Sequence, residues 1–158
     1  GGVNLALDAQ ASQSSQFGDA SANRAIDGNT NGEFGQKSVT HTKDETMPWL
    51  EIDLGKEKTI DQIKVYNRED RLENRLQNFW VVAYNAKRQP VWASRGEKAP
   101  RPLWEADLPQ SFEEFSKEQN RTLQTFIQQN DPKKVKAAQK QIKKLEKQLA
   151  NYNTTIIR

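Results

Sequence analysis

The sequence predicts a mainly β domain, an antiparallel β-sandwich over residues 1–109, followed by a C-terminal α-helical hairpin over residues 110–158. Three observations predict it. From Val3 to about Leu108 the chain consists of short alternating apolar runs broken by Gly, Asn, Asp and Pro, the pattern of strands and turns. After Pro109 the apolar spacing changes from two to three and four, the spacing of a helix. All four tryptophans fall before residue 105, so core-forming side chains are concentrated in the β part.

The strands follow from side-chain alternation. In Trp49-Leu50-Glu51-Ile52-Asp53-Leu54, the residues Leu50, Ile52 and Leu54 share one face, and in Ile63-Lys64-Val65-Tyr66 the residues Ile63 and Val65 do the same. The run Phe79 to Tyr84 is apolar on both faces and is therefore expected at the centre. Aromatic residues in such runs are usually core, and Trp49, Phe79 and Trp80 are assigned there.

In the tail, Phe112, Phe115, Leu123, Phe126 and Ile127 form one helical set. Val135, Ala138, Ile142, Leu145, Leu149 and Tyr152 form a second with a coiled-coil seam. Asn130-Asp131-Pro132 divides them, with a cap residue and a proline suited to the first helical position. The seam suits self-association or docking back on the same molecule.

Charge is unevenly shared. Residues 1–110 hold 14 Lys and Arg against 16 Asp and Glu, whereas residues 111–158 hold 10 against 5. The lysines of the second helical set, such as Lys136, Lys140 and Lys143, avoid its apolar seam and have no aromatic residues among them. They read as a solvated face, and no nucleic-acid partner is expected. There is no cysteine, which excludes disulfides, thiolate metal sites and thiol catalysis. No stretch approaches the roughly 20 apolar residues that span a bilayer, so no membrane insertion is expected. The N-terminus has no charged and apolar leader, and the chain is expected to be a piece of a longer protein. One histidine and scattered carboxylates assemble no catalytic constellation, so an enzyme is not expected.

That histidine, His41, is followed by Arg68, Asp70 and Arg75 in the pattern H-x26-R-x-D-x4-R. Around it stand Asn4-Leu5-Ala6-Leu7, Arg24-Ala25-Ile26-Asp27-Gly28-Asn29, Ser38-Val39-Thr40-His41-Thr42 and Pro48-Trp49-Leu50-Glu51-Ile52-Asp53-Leu54-Gly55. Motif and flanks resemble the F-type (fucose-binding) lectins of the discoidin, or coagulation factor 5/8 C-type, superfamily, over about the first hundred residues. The resemblance implies a galactose-binding-like jelly roll and a fucose-containing glycan as partner.

The residue types suit that ligand. A neutral sugar presents hydroxyls and a ring oxygen, and arginine offers a rigid planar fork of donors where lysine offers a mobile point charge. Asp70 can offset the repulsion between two arginines and fix a rotamer. The resemblance gives His41, Arg68 and Arg75 the sugar contacts and makes Phe34 the candidate for the pocket that receives the methyl group of fucose. Relatives often carry two adjacent cysteines after the Asp; here Arg71 and Leu72 stand there, and Leu72 is the candidate replacement for their apolar contact.

The resemblance also implies a structural calcium ion held by the segment Arg24, Asp27, Asn29 and Ser38, through main-chain carbonyls, a carboxylate and a Ser oxygen. Oxygen ligands of this kind suit calcium. The family's final strand, which closes that site with a carbonyl and a Glu, has no counterpart in the sequence. A discoidin-like module binding a protein or lipid surface, its sugar site lapsed, is the alternative. The tail ending Tyr152-Asn153-Thr154-Thr155-Ile156-Ile157-Arg158 resembles the segment after such sandwiches in large exported cytochrome-type proteins of planctomycete bacteria, which implies an extracytoplasmic location.

Overall fold

The computed structural model describes residues 2–111, 115–131, 133, 140 and 156–157. The fold is mainly β. Strand β1 (Gln10–Gln13) pairs antiparallel with β2 (Trp49–Asp53), Gln10 opposite Asp53 and Gln13 opposite Leu50. Strand β3 (Gln62–Tyr66) pairs antiparallel with β6 (Leu103–Asp107), and β4 (Phe79–Tyr84) with β5 (Pro90–Gly96). Helix α1 covers Lys117–Gln129, and a two-residue strand β7 (Ile156–Ile157) runs parallel to β2, with Trp49 opposite Ile156.

Strand β4 is central, as its apolar run requires. Trp80 and Val82 point to one face, where they meet Ala93 and Phe126. Phe79 and Val81 point to the other, where Trp92 joins them over Ile63, Val65, Trp104 and Ala106 of the β3–β6 sheet. The two-residue period therefore supplies two apolar surfaces, one covered by sheet and one by helix. Phe79 is fully buried, its ring 5.9 Å from that of Trp104. Gly96 lies directly opposite it, where an added Cβ would stand 2.2 Å from the Phe79 ring, so only glycine leaves room.

The tail takes part in this core. Phe126 is 4% exposed, with its ring edge-on to Trp80 at 5.4 Å. Ser116 starts α1 with a capping box: its hydroxyl accepts from the Gln119 amide at 3.1 Å, and the Gln119 side chain accepts from the Ser116 amide at 2.9 Å. Asn130 ends the helix as its C-cap, its amide bonded to the Phe126 carbonyl. The division of the chain at residue 109 thus separates two segments that share a core. The second helix of the expected hairpin lies outside the described residues. A short strand does return to the sheet, β7 beside β2, where the sequence offered no counterpart of the family's final strand.

Leu54, expected on one face with Leu50 and Ile52, lies just past the end of β2. No helix among the described residues is long and apolar enough to cross a membrane.

Candidate functional site

Four loops carry the residues that the sequence singled out for the site. His41 sits on a segment tied to the loop before it: its amide donates to the Ala20 carbonyl at 3.3 Å, and its carbonyl accepts from the Phe17 amide at 2.9 Å. The far end of that segment is held by Glu45, whose carboxylate accepts from the hydroxyls of Ser14 and Ser15 at 2.6 and 2.5 Å. The His41 ring is oriented by its own chain, Nδ1 lying 2.5 Å from the Thr42 carbonyl. A carbonyl only accepts, so Nδ1 is the donor of that bond, and in the corresponding tautomer Nε2 is an acceptor.

Strand β3 ends at Tyr66, and the next four residues form an arm. Asn67, 6% exposed, fixes its root: the side chain donates to the carbonyls of Glu73 and Pro100 at 2.9 and 3.1 Å and accepts from the Arg68 amide at 2.9 Å. Arg68 is 8% exposed and forms a fork with Asp70, Nε to Oδ1 at 2.5 Å and Nη2 to Oδ2 at 2.6 Å. The two therefore meet through a bidentate pair rather than through the alternation of a continuing strand. That pair, opposed by burial and helped by the Phe34 amide, holds the Asp70 carboxyl down to about 2.

Beyond the arm, Arg71 adopts φ +72°, a left-handed conformation that turns the chain. A 3-10 turn over Glu73–Arg75 follows, with the Arg75 amide bonded to the Leu72 carbonyl at 3.1 Å. The turn brings Arg75 back so that Nη1 lies 3.4 Å from His41 Nε2. Leu72 is exposed on the same turn.

The fourth loop runs from Arg24 to Ser38. Successive side chains capture amides two residues on: Asp27 that of Asn29, Asn29 that of Asn31 and Asn31 that of Glu33, at 2.8, 3.1 and 2.8 Å. The Ser38 hydroxyl donates to the carbonyls of Asn31 and Glu33. Arg24 closes the loop with its side chain, donating to the Val39 carbonyl at 3.2 Å and pairing with Asp19 at 3.0 Å. Phe34, at the end of the series, gives its amide to Asp70 Oδ2 at 3.2 Å and lies under Arg68, whose Cζ is 5.2 Å from the ring centre.

Three rings then line one side: Phe34 is 5.6 Å from His41, and Phe17 is 4.9 Å from His41 and 6.5 Å from Phe34. Phe17 was not singled out by sequence. Its signal was an aromatic residue within the polar loop Ser14-Ser15-Gln16-Phe17-Gly18-Asp19, and it is 52% exposed.

His41, Arg68, Asp70, Arg75 and Phe34 are thus brought together. Arg24, Asp27, Asn29 and Ser38 share the adjoining loop. Among the described residues no group of three or more His, Cys, Asp or Glu side chains could hold a metal ion. The loop instead offers carbonyl, amide and hydroxyl oxygens besides the carboxylates of Asp27 and Glu33, and an all-oxygen donor set suits calcium and not a soft metal.

Comparison with known proteins places the domain in a family. A NedA-like, galactose-binding domain model of the F5/F8 type C class matches residues 24–99. The lectin domain of lectinolysin, solved in complex with Lewis b antigen, is 38% identical, with a TM-score of 0.66 over 69% of this chain and 79% of that one. The chain belongs to the F5/F8 type C, galactose-binding-like family. A Streptococcus pneumoniae fucose binding module is 35% identical, with a TM-score of 0.67 over 70% of this chain and 79% of the module. A fucolectin of Anguilla anguilla is 33% identical over 78 residues, 46% of this chain. The chain spans about half the length of that curated relative, 49%. These relatives are lectins and a fucose binding module, so the family is one of binding domains and not of enzymes.

Proposed function

We propose that this domain binds L-fucose or fucosylated glycans through His41, Arg68 and Arg75. The observation that carries the reading is the approach of Arg75 to His41 beside an Arg68 locked by Asp70. A donor and an acceptor 3.4 Å apart serve one sugar hydroxyl, which gives its proton to His41 Nε2 and accepts from the Arg75 guanidinium. Arg68 uses two of its N–H groups on Asp70 and turns the remaining ones to the sugar's oxygens. Phe34 and Phe17 offer the apolar wall that the methyl group of fucose requires, with Leu72 on the adjacent turn. The lectinolysin domain complexed with Lewis b and the pneumococcal fucose binding module support this choice of ligand.

A calcium ion fits the loop below, held by the Asp27 carboxylate and by oxygens of Arg24, Asn29 and Ser38. Bound there, it would supply positive charge that ties the loop's oxygens together. The resemblance of the tail to exported proteins supports an extracytoplasmic place within a longer chain. A single small site binds weakly, and repetition in an assembly or a longer chain would raise avidity.

Calorimetry with methyl α-L-fucoside in the presence of calcium tests the reading. Wild type should bind and His41→Ala should lose roughly ten- to a hundredfold, the worth of one or two such hydrogen bonds. A glycan array on which wild type retains no fucosylated glycan would remove it.

A further inference from the structure

The oxygen-rich loop and the sugar-binding arm meet at one point that the sequence did not mark. The Gly32 carbonyl accepts from the Glu69 amide at 2.9 Å, and two residues on, the Phe34 amide donates to Asp70 at 3.2 Å. Two segments far apart in sequence are therefore joined by one backbone bond and, beside it, one bond from a backbone amide to a side-chain carboxylate. A Cβ added at Gly32 would lie 2.7 Å from the Glu69 nitrogen and from Glu69 Cγ, and 2.8 Å from Glu69 Cβ. Two of these atoms move little, because one is backbone and one is attached to it, so any side chain at position 32 must push the loop off the arm.

We infer that Gly32 is a positioning residue for the sugar site: it clasps the loop to the arm, making the two one cooperative unit in which the order of the loop sets the affinity for sugar. The inference rests on the fucose reading of the site. The clasp acts through Phe34. Asp70 has two oxygens, one bonded to Arg68 Nε and the other shared between Arg68 Nη2 and the Phe34 amide. Separation at Gly32 withdraws that amide and moves the Phe34 ring from beneath Arg68 and beside His41. The amide captures by Asp27, Asn29 and Asn31 propagate order along the loop to the same place, ending one residue before Phe34. Whatever stiffens the loop strengthens the site, and sugar in the site should protect the loop.

The test is a double-mutant cycle read by calorimetry with methyl α-L-fucoside. Gly32→Ala should weaken binding roughly tenfold in the wild-type background, the effect of forced overpacking, and less than about twofold when Phe34 is already Ala. Equal losses in both backgrounds, or none in the first, would overturn the inference. Amide hydrogen exchange gives an independent measurement that needs no ligand. In wild type the Phe34 and Glu69 amides should open with the same free energy, and in Gly32→Ala both should exchange faster. If Phe34 exchanges far faster than Glu69 in wild type, there is no clasp, whether or not Gly32→Ala folds. If wild type fails to bind the fucoside while the two amides still open together, the ligand assignment falls and the clasp stands.

Discussion

Asp70→Asn removes a charge while keeping the shape of the side chain, and its consequences can be worked from the pair it breaks. Asp70 and Arg68 are 16% and 9% exposed at their side chains and joined by two short bonds. The carboxyl is depressed from 3.8 to about 2, which by linkage corresponds to roughly 2 kcal/mol of folding stability. The sign is that of a carboxylate with a lowered folded-state value: the contribution is complete above about pH 4 and is lost as pH falls toward 2. Loss of the negative partner also leaves the Arg68 guanidinium buried with only neutral acceptors, a cost of the same direction. Urea denaturation at pH 7 should therefore find Asp70→Asn about 2 kcal/mol less stable than wild type. At pH 2.5 the two proteins should differ by much less, because wild type is itself losing the charge. A difference that is the same at both pH values, or under about 0.5 kcal/mol at pH 7, would refute this account of the pair.

Other perturbations separate the site from the scaffold. Phe17→Ala should weaken fucoside binding by roughly three- to tenfold in calorimetry with little change in melting temperature, since the ring is half exposed and faces His41. Phe126→Ala should cost about 3–5 kcal/mol in denaturant melts, because the ring is buried against Trp80, while fucoside affinity of the folded protein stays unchanged. Ser116→Ala should cost about 1 kcal/mol by loss of the capping box, measured in the same way. Chelation of calcium should lower the melting temperature measured by calorimetry, and Asp27→Ala should abolish the difference; equal melting with and without chelator would remove calcium from the proposal.

Much of this was legible in the sequence. Strand β4 matches its predicted apolar run residue for residue, and the alternating β2 and β3 lie within a residue of theirs, because the spacing of apolar residues along a strand is a local property. The residues that the structure brings together at the candidate site, His41, Arg68, Asp70 and Arg75, could be picked out in the sequence because a single histidine precedes an Arg-x-Asp pair that can form a fork. The role of α1 was legible only in part. Its periodicity marked a helix with an apolar face, but nothing in that period says whether the face meets a partner helix, a second copy or the open side of β4.

The amino-acid sequence alone thus determined which residues alternate, that the stretch around Leu123, Phe126 and Ile127 is helical, and which polar side chains are candidates for a site. Only the tertiary structure decided what these residues face. Phe17 joins His41 because two loops are tied by backbone bonds, Gly32 meets Glu69 because the chains approach too closely for a side chain, and Ile156 pairs with Trp49 across more than a hundred residues. Such contacts depend on which edges and faces the rest of the fold leaves open. Local spacing fixes the direction of a side chain relative to its own element, whereas its neighbours are fixed by packing.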